Sequence, residues 1–156
     1  MLSVTQPISE VPTAMGKEIH TEIDINASTQ KVWEVLTTFE SYKTWNPFII
    51  QISGELKEGA QLETHMKLGD EIQTFKPTVV VVEDGKAFEW LGSVPLGAFK
   101  GRHCFRLESL GPDKCRLYHY EQFSGWLSGP ILKRIGQETL ACFEQMNIAL
   151  KNRVEG

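Results

Sequence analysis

Two histidines and a glutamate carry the chemistry this sequence offers, and they stand among phenylalanines. In GRHCFRLESLGPDKCRLYHYEQFSG, residues 101–125, alternation puts Gly101, His103, Phe105 and Leu107, with Phe99 before them, on one face of a strand. The following strand puts Leu117, His119, Glu121 and Phe123 on one face. Both faces are apolar, so the ionisable groups point to the inside. An imidazole beside a carboxylate can orient a hydroxyl or carbonyl, move a proton, or contribute to a metal site. The metal reading needs a further ligand, and His65, the nearest candidate, falls on the outward parity of its strand. No metal site and no cofactor are expected.

Register brings these groups together. Leu107 and Leu117 must share the inward face. A three-residue turn at Gly111, Pro112 and Asp113 then pairs Phe105 with His119 and His103 with Glu121. Opposed residues have Cβ atoms about 5 Å apart, close enough for His103 and Glu121 to satisfy each other. A buried carboxylate without a partner is costly, so pairing or protonation is required of Glu121. A merely structural pair within a partly wet interior meets that requirement as well as a functional one does.

The elements that must position them follow from periodicity. KEIHTEIDINA alternates as a half-buried strand with Ile19, Thr21, Ile23 and Ile25 inward. ASTQKVWEVL is helical, with Ser28 or Thr29 as N-cap, and FESYKTW is a second short helix stopped before Asn46-Pro47. Six strands are expected next: PFIIQIS, QLETHMKL, EIQTFKPTVVVVE, KAFEWLGSV and the two described above. Gly69-Asp70 and Asp84-Gly85 mark hairpin turns, and Pro77 marks an edge or a bulge. The segment from about Gly129 to Arg153 is one long helix with Leu132, Ile135, Thr139, Cys142, Phe143, Met146 and Leu150 on one stripe. The expected fold is α+β: a seven-stranded antiparallel sheet wrapped around the C-terminal helix, with two short helices between the first and second strands. A curved sheet and a straight helix leave a gap between them, which is a natural ligand cavity.

This order, with the words VWEVLTTFESYKTWNPFI, FKPTVVVVEDGKAFEWLG and QETLACFEQMNIALKNR, resembles the helix-grip superfamily, also called SRPBCC or START-like, over roughly residues 17–153. It is most similar to the small bacterial members of the polyketide cyclase/dehydrase and lipid transport group. The resemblance implies the helix-grip fold and a binding cavity. It does not choose among lipid carriers, cyclases and interaction modules, because one fold hosts many functions.

Composition narrows the field. The 156 residues fit one domain, read as a flexible arm over 1–16 and a single domain over 17–156. A net charge of −4 argues against nucleic acid as a partner. No apolar run is long enough for stable membrane insertion, and no signal peptide is visible, so a cytoplasmic location is expected. Cys104 and Cys115 have opposite parities and should not bridge. No phosphate-loop, dinucleotide, nucleophile-elbow or zinc-protease motif is present.

The favoured function is binding of a small hydrophobic molecule, lipid-like or polyaromatic, by a carrier or sensor that is a monomer or homodimer. The expected lining is His103, Phe105, His119, Glu121, Phe123, Trp90, Phe88, Met66, Phe75, Phe99, Phe143 and Met146. An enzyme of the aromatase/cyclase type, using His103 and Glu121 for proton transfer, is the first alternative, and no catalytic residue is assigned with it. A protein-interaction module is the second. An exposed apolar patch favours the interaction module, and a closed cavity with a polar floor favours the other two readings.

Overall fold

The computed structural model describes residues 16–156. The expected arm lies outside them except for Gly16, which opens strand β1 (Gly16–Ile25). Helix α1 (Thr29–Thr37) follows, capped by Ser28, whose hydroxyl accepts from Lys31 N–H at 3.2 Å. A 3-10 turn over Phe39–Ser41 leads into the one-turn helix α2 (Tyr42–Trp45), which ends at Asn46. The side-chain oxygen of Asn46 accepts from the backbone N–H groups of Phe48 and Ile49, both at 2.9 Å, and so fixes the exit into β2 (Ile49–Ser53).

Six more strands follow: β3 (Glu63–Leu68), β4 (Glu71–Phe75), β5 (Thr78–Glu83), β6 (Ala87–Ser93), β7 (Lys100–Gly111) and β8 (Lys114–Ser124). Helix α3 (Ser128–Glu155) closes the fold. All pairings are antiparallel, in two sheets, β1-β8-β7-β6-β5 and β2-β3-β4.

Among the described residues the expected seven strands are thus eight. The long β-branched segment 71–83 breaks at Lys76-Pro77 into β4 and β5, one in each sheet. Proline has no N–H to give a ladder, so the strand changes partners where Pro77 stands. The Pro77 carbonyl still accepts from Leu62 N–H at 2.8 Å, and a bridge between Gln61 and Thr78 joins the two sheets. The β7–β8 register is the expected one, with Leu107 opposite Leu117, Phe105 opposite His119 and His103 opposite Glu121. The turn differs. The register shifts between Ser109 and Gly111, so Gly111 pairs with Lys114 and only Pro112 and Asp113 remain in the turn. Such a bulge absorbs one residue without flipping either face.

The inner faces of both sheets, α1 and α3 enclose one core that runs from Ile19 and Ile25 through Leu36, Phe88, Phe105 and Leu117 to Phe143 and Leu150. The C-terminal end of α3 is held by polar contacts. Lys151 Nζ donates to the Asp24 carbonyl at 2.9 Å, and Glu155 accepts from Asn26 N–H at 2.7 Å.

All three cysteines are free and buried. Cys104 lies under the outer-face side chains of Glu89 and Tyr120, and burial pushes its thiol up to about 12. Burial raises Cys115 and Cys142 as well. The thiolate is the reactive form, so all three should resist alkylation in the folded protein and all should react after unfolding without reductant. A thiol count below three in denaturant would contradict this arrangement.

Candidate functional site

A cavity of about 170 Å³ lies between the two sheets and the first half of α3. Phe48, Trp90, Phe99, Phe123 and Phe143 form its aromatic wall, and Met66 and Leu68 come from β3. Phe75, Lys76 and Pro77, where the segment 71–83 crosses between sheets, line it together with Ser93 and Val94. Ile135 and Thr139 face it from α3, and Glu121 is its one lining carboxylate among the described residues.

Seven of the twelve residues expected at the site line this cavity: Glu121, Phe123, Trp90, Met66, Phe75, Phe99 and Phe143. The other five, His103, Phe105, His119, Phe88 and Met146, are fully packed behind the wall. Parity chose the correct face, but α3 presses on one part of that face and stands away from another. Phe143 marks the boundary. It lines the cavity and also stacks on His119 with ring centroids 4.2 Å apart.

Behind the wall runs a directional chain of hydrogen bonds. Thr21 stands opposite His119 in the β1–β8 ladder, and its hydroxyl donates to the His119 carbonyl at 2.7 Å. A carbonyl can only accept, so the Thr21 oxygen is free to accept from Asn147 Nδ2 at 2.8 Å. That orients the Asn147 amide with its oxygen toward His119 Nδ1, also at 2.8 Å. His119 Nδ1 therefore carries a hydrogen. Complete burial, together with the neighbouring His103, holds His119 well below the usual histidine range of 6.5, so the ring is neutral and its Nε2 is bare. The 2.7 Å contact between the two Nε2 atoms is then a bond donated by His103.

The chain ends at His103, next to the cavity. His103 Nδ1 is 3.4 Å from Glu121 Oε1, close enough for an ion pair but not aligned as a hydrogen bond. Together with Asn46 Nδ2, it is a buried side-chain atom left without a hydrogen bond among the described residues. The unpaired Nδ1 and the Glu121 carboxylate stand side by side at the cavity. Gly101 makes room for this pair: a Cβ there would stand 3.3 Å from the carboxylate carbon and both oxygens of Glu121.

Asn147 and Thr21 were not visible as partners of the histidines. The available signal was a polar residue at helical spacing from Phe143 and Leu150, and a threonine on the inward parity of the first strand. Neither signal gives the rotation of α3 that brings them together. The remaining histidines lie elsewhere: His20 bonds Glu18 and Glu22 on β1, and His65 is near Glu63 on β3.

Two outcomes are expected. Asn147→Ala leaves the His119 Nδ1–H unpaired in a buried place and should cost about 2–3 kcal/mol in chemical unfolding. The unfolded chain takes up a proton at residue 119 near pH 6.5, while the folded chain does not. Stability from neutral His119 is therefore complete above pH 6.5 and is lost as pH falls below it, by up to about 1.4 kcal/mol per pH unit. Asp24, held low by Arg116, adds its loss only below the ordinary carboxylate value of 3.8. Unfolding curves between about pH 7.5 and 5.5 should show the slope in the native sequence and lose it in a His103→Phe/His119→Phe double variant.

The family described as polyketide cyclase/dehydrase and lipid transport matches residues 17–155. A search of curated proteins finds no match. Among solved structures, a START superfamily protein from Mycobacterium smegmatis is 23% identical, with a TM-score of 0.68 over 88% of this chain and 97% of that one. A hypothetical protein from Helicobacter pylori is 15% identical, with a TM-score of 0.72 over 99% and 97%. An aromatase/cyclase from a Streptomyces species is 14% identical, with a TM-score of 0.69 over 90% and 94%. At these identities the structures share the fold. The family match covers nearly the whole chain, and the chain belongs to the polyketide cyclase/dehydrase and lipid transport family.

Proposed function

We propose that the protein binds a small hydrophobic molecule with one polar group in the cavity between its sheets and α3, as a carrier or sensor. The observation that carries this reading is the contrast within the lining: an aromatic wall broken by one carboxylate, Glu121, set beside the buried His103. Aromatic walls supply affinity without direction, and a convergent polar group supplies orientation. Each 100 Å² of apolar ligand surface enclosed contributes about 2.5 kcal/mol before the costs of binding.

Volume refines the ligand class. A cavity of about 150 Å³ accepts benzene. The 170 Å³ here suits a single aromatic ring or a compact terpene-like body. A polyaromatic or a long acyl chain would have to extend out of it, past lining residues that reach the surface such as Phe75 and Val94. The polar group would meet Glu121, which accepts from a hydroxyl or amine when ionised and donates to a carbonyl when protonated.

One observation favours a catalytic second reading. The hydrogen-bond chain from Thr21 ends at His103, whose Nδ1 has no hydrogen bond and stands 3.4 Å from Glu121 at the cavity edge. That arrangement suits general acid/base chemistry on a shielded molecule, as in an aromatase/cyclase. Native mass spectrometry of freshly purified protein, followed by extraction, would identify a retained molecule. Chemical conversion of it on incubation separates enzyme from carrier.

Titration with phenol, a single ring with one hydroxyl, tests the site itself. Glu121→Gln should weaken binding by about tenfold or more while leaving the melting temperature within a few degrees. Ile135→Trp, which fills the cavity from α3, should abolish binding in a folded protein. Unchanged affinity in both folded variants would remove the cavity reading.

A further inference from the structure

Ligand enclosure leaves one feature of the cavity mouth unused. Leu96 is 93% exposed and Trp126 is 68% exposed, and Val94 and Phe75 on the mouth are exposed too. The loops that carry Leu96 and Trp126 are locked together. Leu127 N–H donates to the Ala98 carbonyl at 2.8 Å. A Cβ at Gly125, whose φ is +102°, would stand 2.5 Å from that carbonyl oxygen and 2.6 Å from the Gly97 one. Leu96 is the one non-glycine residue with positive φ among the described residues, at 66°. A leucine gains nothing at such a position from its backbone or from water, whereas glycine or asparagine would fit both. Strain and apolar exposure at the same residue point to a surface that another body covers.

Charge indicates which body. Residues 93–100 and 124–134 contain Lys100, Lys133 and Arg134, all exposed, and no acidic residue. Lys133 also lines a groove with Gly129 and Pro130 at the start of α3. The flanking carboxylates turn elsewhere: Glu121 lines the cavity, and Glu138 lies against Gly69 at the β3–β4 turn. An exposed indole and leucine flanked by cations match the layering of a bilayer surface, with apolar chains beneath anionic headgroups.

We propose that the tip formed by residues 94–98 and 125–127 docks on a lipid bilayer bearing anionic headgroups. Leu96 and Trp126 enter the interfacial layer, and Lys100, Lys133 and Arg134 meet the phosphates. The cavity mouth beside them then faces the phase in which a small hydrophobic molecule concentrates. No helix among the described residues is long and apolar enough to span a membrane, so the contact is peripheral and reversible.

The test is co-sedimentation of the full chain with phosphatidylcholine vesicles, with and without phosphatidylserine. Binding should require phosphatidylserine, weaken with salt, and fall about fivefold for each of Lys100→Gln and Lys133→Gln. Leu96→Ser/Trp126→Ser should lose at least about tenfold in partitioning with an unchanged melting temperature, because both side chains are exposed. Brominated acyl chains should quench tryptophan emission in the native sequence but not in Trp126→Phe. Glu121→Gln should bind vesicles as the native sequence does, which separates this proposal from the cavity reading. Absence of phosphatidylserine-dependent binding, or binding retained by the double serine variant, would overturn it. So would a dimer that dissociates on the same substitutions without any vesicle binding, which would assign the tip to an interface between copies.

Discussion

The interior is organised around a buried pair of imidazoles, His103 and His119, in contact through their Nε2 atoms. His119 has no exposure, and Phe105 and Phe143 stack on its ring. Such a group is tolerable only if each nitrogen has a partner of the right sense. One partner is His103 on the neighbouring strand. The other is Asn147 on α3, itself oriented by Thr21 on β1. Three elements far apart in sequence are therefore tied at one point. A shift of α3 by one residue would remove Asn147 from reach and leave a buried donor unpaired. Apolar stripes alone tolerate sliding, so this polar junction sets the position of the helix more sharply than the surrounding phenylalanines do.

With α3 fixed there, its two halves have different tasks. Beyond Asn147 the helix seals the core through Leu150 and Val154 and is tied to the end of β1 by Lys151 and Glu155. Before Phe143 it runs past the place where segment 71–83 changes sheets. The sheet surface is interrupted there by Lys76 and Pro77, and Ile135 and Thr139 face open volume instead of a packed strand. The cavity thus follows from the proline break and from the anchoring of the helix at Asn147.

Much of this was legible from alternation. Parity and the Leu107–Leu117 constraint were enough to oppose His103 to Glu121, since a one-residue slip would turn Leu117 and Phe123 to solvent. The helix boundaries were legible from Ser28, Asn46-Pro47 and the stripe ending at Leu150. The division of segment 71–83 was marked by Pro77, but sequence does not say whether proline bends one strand or separates two. The site was legible only as a face. Which residues of that face border the cavity depends on the tilt of α3, a three-dimensional quantity to which Phe88, His119 and Met146 hold no local clue. Asn147 was hidden for a related reason: a polar residue on an apolar stripe gains meaning only when its partner across the interface is known.

The same geometry explains why one carboxylate on the inner face borders the cavity while both histidines do not. The His119 imidazole is enclosed with both nitrogens matched, and stacking against phenylalanine compensates for lost hydration. A carboxylate has more acceptor sites than one neighbouring imidazole can fill. Glu121 therefore belongs at the edge of open volume, with one oxygen toward His103 and with Gly101 beside it in place of a side chain. The apolar chain on its other side remains a wall. The order from β1 to the cavity, hydroxyl, amide, two imidazoles and carboxylate, runs from groups easiest to bury to the group hardest to bury. That gradient leaves the carboxylate at the edge of the open volume and seals the rest.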